Sequence, residues 1–365
     1  MTKSGSRFLR KYAASAVGNT PVQPNLPPDD DSSSDEQENK IDRSIEVVED
    51  EWIALPTGTT SARAEETPQR FIDGSQSGQP VLCVRSPQGY PIPLYLSEVG
   101  AVALRSEGRG FVREFVAMDR VLSLVADVFD WADVEEFAED IVSKPELRLR
   151  LLPANRPTEE HNPFDYELMR SQARNRAQQE MTSFERLALS MDRSVPTLVD
   201  GPISRVTAKP KPGENLLIGV AKSQSANYLH PKGWSVLMSL QTGERTPVFK
   251  LDGVGADRVT IQPVATWFLK LTGSSQLAPN WGYVRVEVPW IQFQDRTQNG
   301  NFGFVDRLSR WLIQAKCTSQ SYARMPVSLD PIVRAEDALK PLFTPTVVLV
   351  NRLYRTAGLF RGGEL

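Results

Sequence analysis

Cysteine and histidine are scarce, with two of each in 365 residues. Cys83 and Cys317 lie far apart with no partner spacing, which argues against a disulfide framework and a cysteine zinc site and fits a reducing compartment. His161 and His230 are too few for a histidine-built metal centre, so any catalytic metal must be held mainly by carboxylates. No apolar run approaches the roughly 20 residues that span a bilayer. The expectation is a soluble, cytoplasmic chain with no membrane partner. There is no Walker A loop, and Gly253-Val254-Gly255 lacks the third glycine of a dinucleotide fingerprint. Gly74-Ser75-Gln76-Ser77-Gly78 has the outline of a nucleophile elbow but carries glutamine at its centre. ATP hydrolysis by the chain itself and serine-hydrolase chemistry are not expected.

Hydrophobic residues make up 40% of the chain, enough for a sizeable core. Residues 1–68 hold 13 acidic and 7 basic side chains, leaving 32 acids against 35 bases in the rest. A mildly basic body behind an acidic segment is compatible with nucleic acid without demanding it. Residues 1–65 read as a disordered tail, proline-rich from Pro21 to Pro28 and acidic and serine-rich from Asp29 to Glu38. The basic cluster Lys3, Arg7, Arg10 and Lys11 beside Phe8, Leu9 and Tyr12 suits a docking peptide, a transit peptide or a plain solvated tail.

Residues 66–345 are expected to form the main domain, with a helical insertion at about 111–145, and 346–365 a C-terminal extension. Phe71 to Ser75, Val81 to Arg85, Ile92 to Val99, Leu216 to Ala221, Trp234 to Leu240, Trp267 to Leu271 and Tyr283 to Val288 read as strands. Val112 to Phe129 and Val134 to Val142 read as helical. So do Tyr166 to Met191, Val305 to Ala315 and Pro331 to Lys340. This succession predicts a mixed α/β fold.

Two apolar strands that each end in Asp-Gly, at Asp73 and Asp200, are the feature that points to chemistry. A strand tip holds a carboxylate rigidly at a sheet edge, although Asp-Gly is also a favoured turn dipeptide. A third acid would come from the preceding helix. Glu185 shares a flank with Met181 and Ala188, while Glu180 competes from the flank of Ala177, Phe184 and Leu187. Such oxygen ligands suit Mg²⁺ or Mn²⁺ and phosphodiester hydrolysis. Lys222 follows a strand and could hold a phosphate, with Arg205, Lys209, Lys211 and Lys232 on flanking loops.

Phe71-Ile72-Asp73-Gly74-Ser75, Leu198-Val199-Asp200-Gly201-Pro202 and Gly219-Val220-Ala221-Lys222-Ser223, in that order, resemble successive motifs of the NurA family of DNA-end-processing nucleases. Val284 to Pro289 resembles a late strand of that family. Met325-Pro326, Leu329 and Ala335 resemble its C-terminal motif, with Met325 where the family has tyrosine and Glu336 where it has histidine. The resemblance covers about residues 70–340. It implies an RNase H-like fold and a homodimer. It further implies manganese-dependent cleavage of DNA ends, 5′ to 3′ or endonucleolytic on single strands, in double-strand break repair alongside a HerA-type hexameric ATPase. Asp73, Glu185 and Asp200 would be metal ligands with Lys222 beside them. Glu336 would be a fourth ligand or the mark of weakened activity. The alternative is a DNA-end-binding adaptor for that ATPase; an enzyme acting on RNA or RNA–DNA hybrids is a third reading.

Overall fold

A strand covered on both faces is mostly apolar, and in residues 91–107 positions 92–104 are buried without a break, Ser97 and Glu98 included. In the computed structural model they form an interior strand of the sheet in a mixed α/β fold. The structure describes residues 6–17, 40–156, 165–203, 210, 213–222, 228–254, 260–273, 281–318 and 328–356.

The elements in chain order are α1 (Arg7–Lys11), β1 (Ser15–Ala16), β2 (Lys40–Asp42), β3 (Leu55–Pro56), β4 (Arg70–Arg85), β5 (Pro91–Glu107) and β6 (Gly110–Val125). There follow α2 (Trp131–Val142), β7 (Arg150–Ala154), α3 (Tyr166–Met191), β8 (Thr197–Asp200), β9 (Leu217–Ala221), α4 (Pro231–Ser239) and β10 (Glu244–Arg245). The last are β11 (Phe249–Val254), β12 (Thr260–Lys270), β13 (Tyr283–Pro289), α5 (Trp290–Arg296), α6 (Gly303–Gln314), α7 (Asp330–Leu339) and α8 (Thr346–Thr356).

Among the described residues one sheet runs in the order β2-β11-β12-β13-β9-β8-β4-β5-β6-β7; off this path β1 pairs with β4, and β10 pairs with β12 and with β3. β8 is parallel to both β4 and β9, while β4, β5 and β6 form an antiparallel meander. Helix α3 crosses one face of β4, β5 and β6, and α7 crosses β4 and β5 on the other. Small residues let α3 lie close: Ala173, Ala177 and Ala188 are fully buried, and Ser123 Oγ donates to the Ala173 carbonyl at 2.6 Å.

Three sequence expectations need correction. Residues 110–125 are a strand, and helix appears only at Trp131–Val142, so the 111–145 segment extends the sheet by β6 before α2. Its β-branched and aromatic residues pair along β5, Glu98 opposite Arg120 with an ion pair at 2.7 Å. The hairpin closes on Gly108 at φ 61°. Residues 234–240 are mostly helix: Pro231 opens α4 and the His230 ring caps it, burying Gly233, Val236 and Leu237. The 1–65 tail is ordered at 6–17 and 40–65, whereas most of the proline-rich and acidic stretch lies outside the described residues.

Phe8, Leu9 and Tyr12 of α1 are buried in a core with Phe129 and Phe137, the Phe8 and Phe137 rings stacked at 4.5 Å. Leu349, Val350 and Leu353 of α8 enter the same core, so the C-terminal extension is part of the body as far as residue 356. Val17 N and Tyr354 Oη both donate to the Val81 carbonyl, at 3.0 and 2.8 Å. No helix among the described residues is long and apolar enough to cross a membrane.

Candidate active site

β4 does not end at Asp73-Gly74 but continues for eleven residues past Gly74, paired with β5. The partner that ends is β8. In parallel register Ile72 lies level with Val199, so Asp73 and Asp200 occupy the next level on one face of the sheet. Gly201 then turns at φ 99° and donates its N–H to Val220 of β9. From Gly74 to Pro80, β4 therefore has no ladder partner on its β8 side among the described residues and is half-buried; β1 takes that side only further on, at Leu82 and Cys83.

Acids reach this open edge from both faces of the sheet. Glu185 comes from the α3 side. A Cβ at Gly74 would meet the Glu185 Cδ at 2.8 Å and its Oε1 closer still, so the glycine makes the space that the carboxylate fills. From the other side α7 packs Ala335 and Leu339 on Val102 and Leu104, placing Glu336 toward Asp73. Burial pushes the Asp73 carboxyl well above the usual carboxylate range. The negative charge of Asp200 raises it further, Glu336 and Glu185 add to this, and Lys222 opposes them. Lys222 Nζ lies 2.9 Å from the Asp200 carboxylate. Lys340 Nζ lies 2.7 Å from Glu336.

Asp73, Asp200, Glu185, Glu336 and Lys222 thus share one electrostatic neighbourhood. Glu180 is directed elsewhere, into an ion-pair group with Arg150, Arg176 and Asp119. Lys232 is exposed on α4, and Arg205, Lys209, Lys211 and Met325 lie outside the described residues. The donor chemistry suits a hard divalent cation, since a buried carboxyl crowded by other carboxylates gains most from one. The carboxylates nevertheless stand apart from one another. Among the described residues no group of three or more histidine, cysteine, aspartate or glutamate side chains is gathered closely enough to hold an ion.

Two supporting residues carry no signature in the sequence. Arg70, 1% exposed, donates to the Ala188 carbonyl at 2.9 Å, the Asp192 carbonyl at 3.2 Å and the Glu114 carboxylate at 2.8 Å. It ties the end of α3, one turn beyond Glu185, to the start of β4. Glu287, also buried, accepts from Ile203 N at 2.9 Å and secures the turn that follows Asp200. Gly219 allows that turn to lie on β9, since a Cβ there would meet Gly201 O and Ile203 N at 2.8 Å. A glycine inside a strand is the one signal that hinted at this close approach.

No family model matches the chain, and no curated protein matches it. Among solved structures it is similar to the NurA nuclease from Sulfolobus solfataricus, over 86% of this chain and 89% of that one, at 10% identity and a TM-score of 0.44. A likeness of that degree decides neither kinship nor chemistry.

Proposed function

We propose that this chain is a metal-dependent deoxyribonuclease with an RNase H-like catalytic core, cleaving phosphodiester bonds at DNA ends. The observation that carries the reading is Asp73, buried among Asp200, Glu185 and Glu336 where a central strand loses its neighbour. A sheet interior gains no stability from that concentration of negative charge. A site for a cation and a phosphate accounts for it. Asp73, Asp200 and Glu185 would hold Mn²⁺ or Mg²⁺, with Glu336 as a fourth oxygen donor. When bound, the ion supplies Lewis acidity toward a phosphate and toward water.

The chain's own side chains do the remaining work. Lys222 balances the charge of Asp200, and its ammonium would be at hand to hold a phosphate. Arg70 keeps α3, and with it Glu185, in register with Asp73. The motif resemblance adds the remaining parts of the proposal: a cytoplasmic homodimer acting with a HerA-type hexameric ATPase in break repair.

A second reading, a non-catalytic DNA-end adaptor for such an ATPase, is favoured by the separation of the carboxylates. The test is cleavage of end-labelled single- and double-stranded DNA with Mn²⁺, Mg²⁺ or EDTA, comparing wild type with Asp73→Asn and Asp200→Asn. Metal-dependent cleavage absent from both variants supports the enzyme. No cleavage by wild type, with the ATPase also present, sinks it in favour of the adaptor.

A further inference from the structure

Between the β5–β6 hairpin and α7 runs a groove of ≈ 670 Å³, within the size range of ligand sites, lined by Leu104, Arg109, Phe111, Arg113, Asp330 and Arg334. Its charge is mostly positive, three arginines against Asp330. Arg109 and Arg113 are exposed and have no carboxylate partner among the described residues. Arg334 has only Asp330, at 3.6 Å. Phe111, 37% exposed, stands between the two unpaired arginines, its ring held edge-on by Phe71 at 5.7 Å. Phe71 is in turn stacked on Trp311 at 6.4 Å, so the exposed ring is backed by a fixed aromatic row. Arg113 follows Phe111 by two residues on β6, and so takes the same face, while Arg109 lies in the hairpin turn beside Gly108.

We infer that this groove binds single-stranded DNA, with Arg109, Arg113 and Arg334 on phosphates and Phe111 as a stacking surface for a base. Guanidinium groups on either side of an exposed aromatic ring suit an unpaired strand, because only an unpaired base offers its face. An acidic peptide would use the arginines and leave the ring unexplained. The inference deepens the nuclease reading and rests on it for the choice of DNA. Phe71 and Leu104 are level across β4 and β5, as are Asp73 and Val102, so the groove wall and Asp73 share one sheet face two residues apart along β4, with Glu185 on the opposite face. Helix α7 stands between them, with Arg334 and Glu336 about 200° apart around its axis. The groove therefore holds a strand beside the carboxylates, outside the cutting centre.

The test is fluorescence anisotropy of a labelled oligothymidylate, titrated with the full chain in EDTA at several salt concentrations. Arg109→Ala/Arg113→Ala should weaken binding and make the slope of log affinity against log salt shallower by about 1.4, the share of two phosphates on a single strand. Phe111→Leu, which keeps an apolar contact on Phe71, should weaken binding roughly tenfold and leave the slope unchanged. Wild-type affinity and slope in these variants overturn the inference. So does a wild-type chain that binds poly-glutamate and not the oligonucleotide. Because EDTA separates binding from cleavage, the two readings can fail separately. Groove variants that bind normally while wild type cleaves DNA in Mn²⁺ defeat the groove alone. Variants that lose binding in a chain with no cleavage defeat the nuclease alone.

Discussion

At the residue scale, the centre depends on one missing side chain and one misplaced charge. Gly74→Ala puts a Cβ into the Glu185 carboxylate, which must withdraw from β4. On the proposed nuclease reading, cleavage in Mn²⁺ should fall about 10²-fold, as a displacement of about 1 Å can cost. An alanine variant that cuts like wild type would remove Glu185 from the centre. Asp73 makes a prediction about stability. Its carboxyl titrates higher in the folded chain than in the unfolded one, so the folded chain keeps the proton more readily. Wild type therefore loses stability as pH rises from the ordinary aspartate range through the raised folded value, and Asp73→Asn does not. In thermal melts without divalent ions, the asparagine variant should melt higher than wild type at neutral pH, with the gap narrowing as pH falls. Equal melting temperatures at neutral pH would show that the buried charge is compensated. The aspartate pair and Glu185 were visible in the sequence as acids beside strands and on a helix flank. Their grouping was not, because it depends on the level pairing of β4 with β8 and on which face each residue takes.

At the element scale, α3 is the part most legible from sequence. Its 26 residues contain no glycine or proline, and Asp165 caps it by accepting from Glu167 N and Leu168 N. Asp165→Ala should cost about 1 kcal/mol in a denaturant titration. A loss near zero would mean that packing alone holds the first turn. Strand β6 and helix α4 are less legible. Phe111 to Val125 mixes apolar spacings that suit either period, and its strand character comes from pairing with β5 along its length. In α4 the buried positions 233, 236 and 237 follow a helical spacing that nine residues are too few to make plain. The Asp-Gly at 73–74 looks like a strand end, yet in β4 the glycine serves an approaching carboxylate instead of a turn.

At the scale of the whole molecule, the first described segment is structural despite its unpromising composition. α1 places Phe8 between Phe129 and Phe137, and Lys11 and Tyr12 both bond to Asp133 of α2. Phe8→Ala should lower stability by about 3 kcal/mol, read from the shift in denaturant midpoint. A midpoint equal to wild type would mean that α1 rests on the body without supporting it. The five residues of α1 could not be read this way from sequence, since Phe8 packs on Phe129 and Phe137 and Lys11 bonds Asp133, all more than a hundred positions away.

The carbonyl of Val81, which accepts a hydrogen bond from each end of the described chain, also bears on the order of synthesis. While the chain is being made, the far half of β4 waits for Tyr354, long after the acids at 73, 185 and 200 have emerged. A product cut short before α8 leaves apolar core surface bare, the kind of surface by which quality control recognises incomplete chains. Closure of this one joint thus distinguishes a chain that has reached α8 from a shorter one that already carries most of these acids.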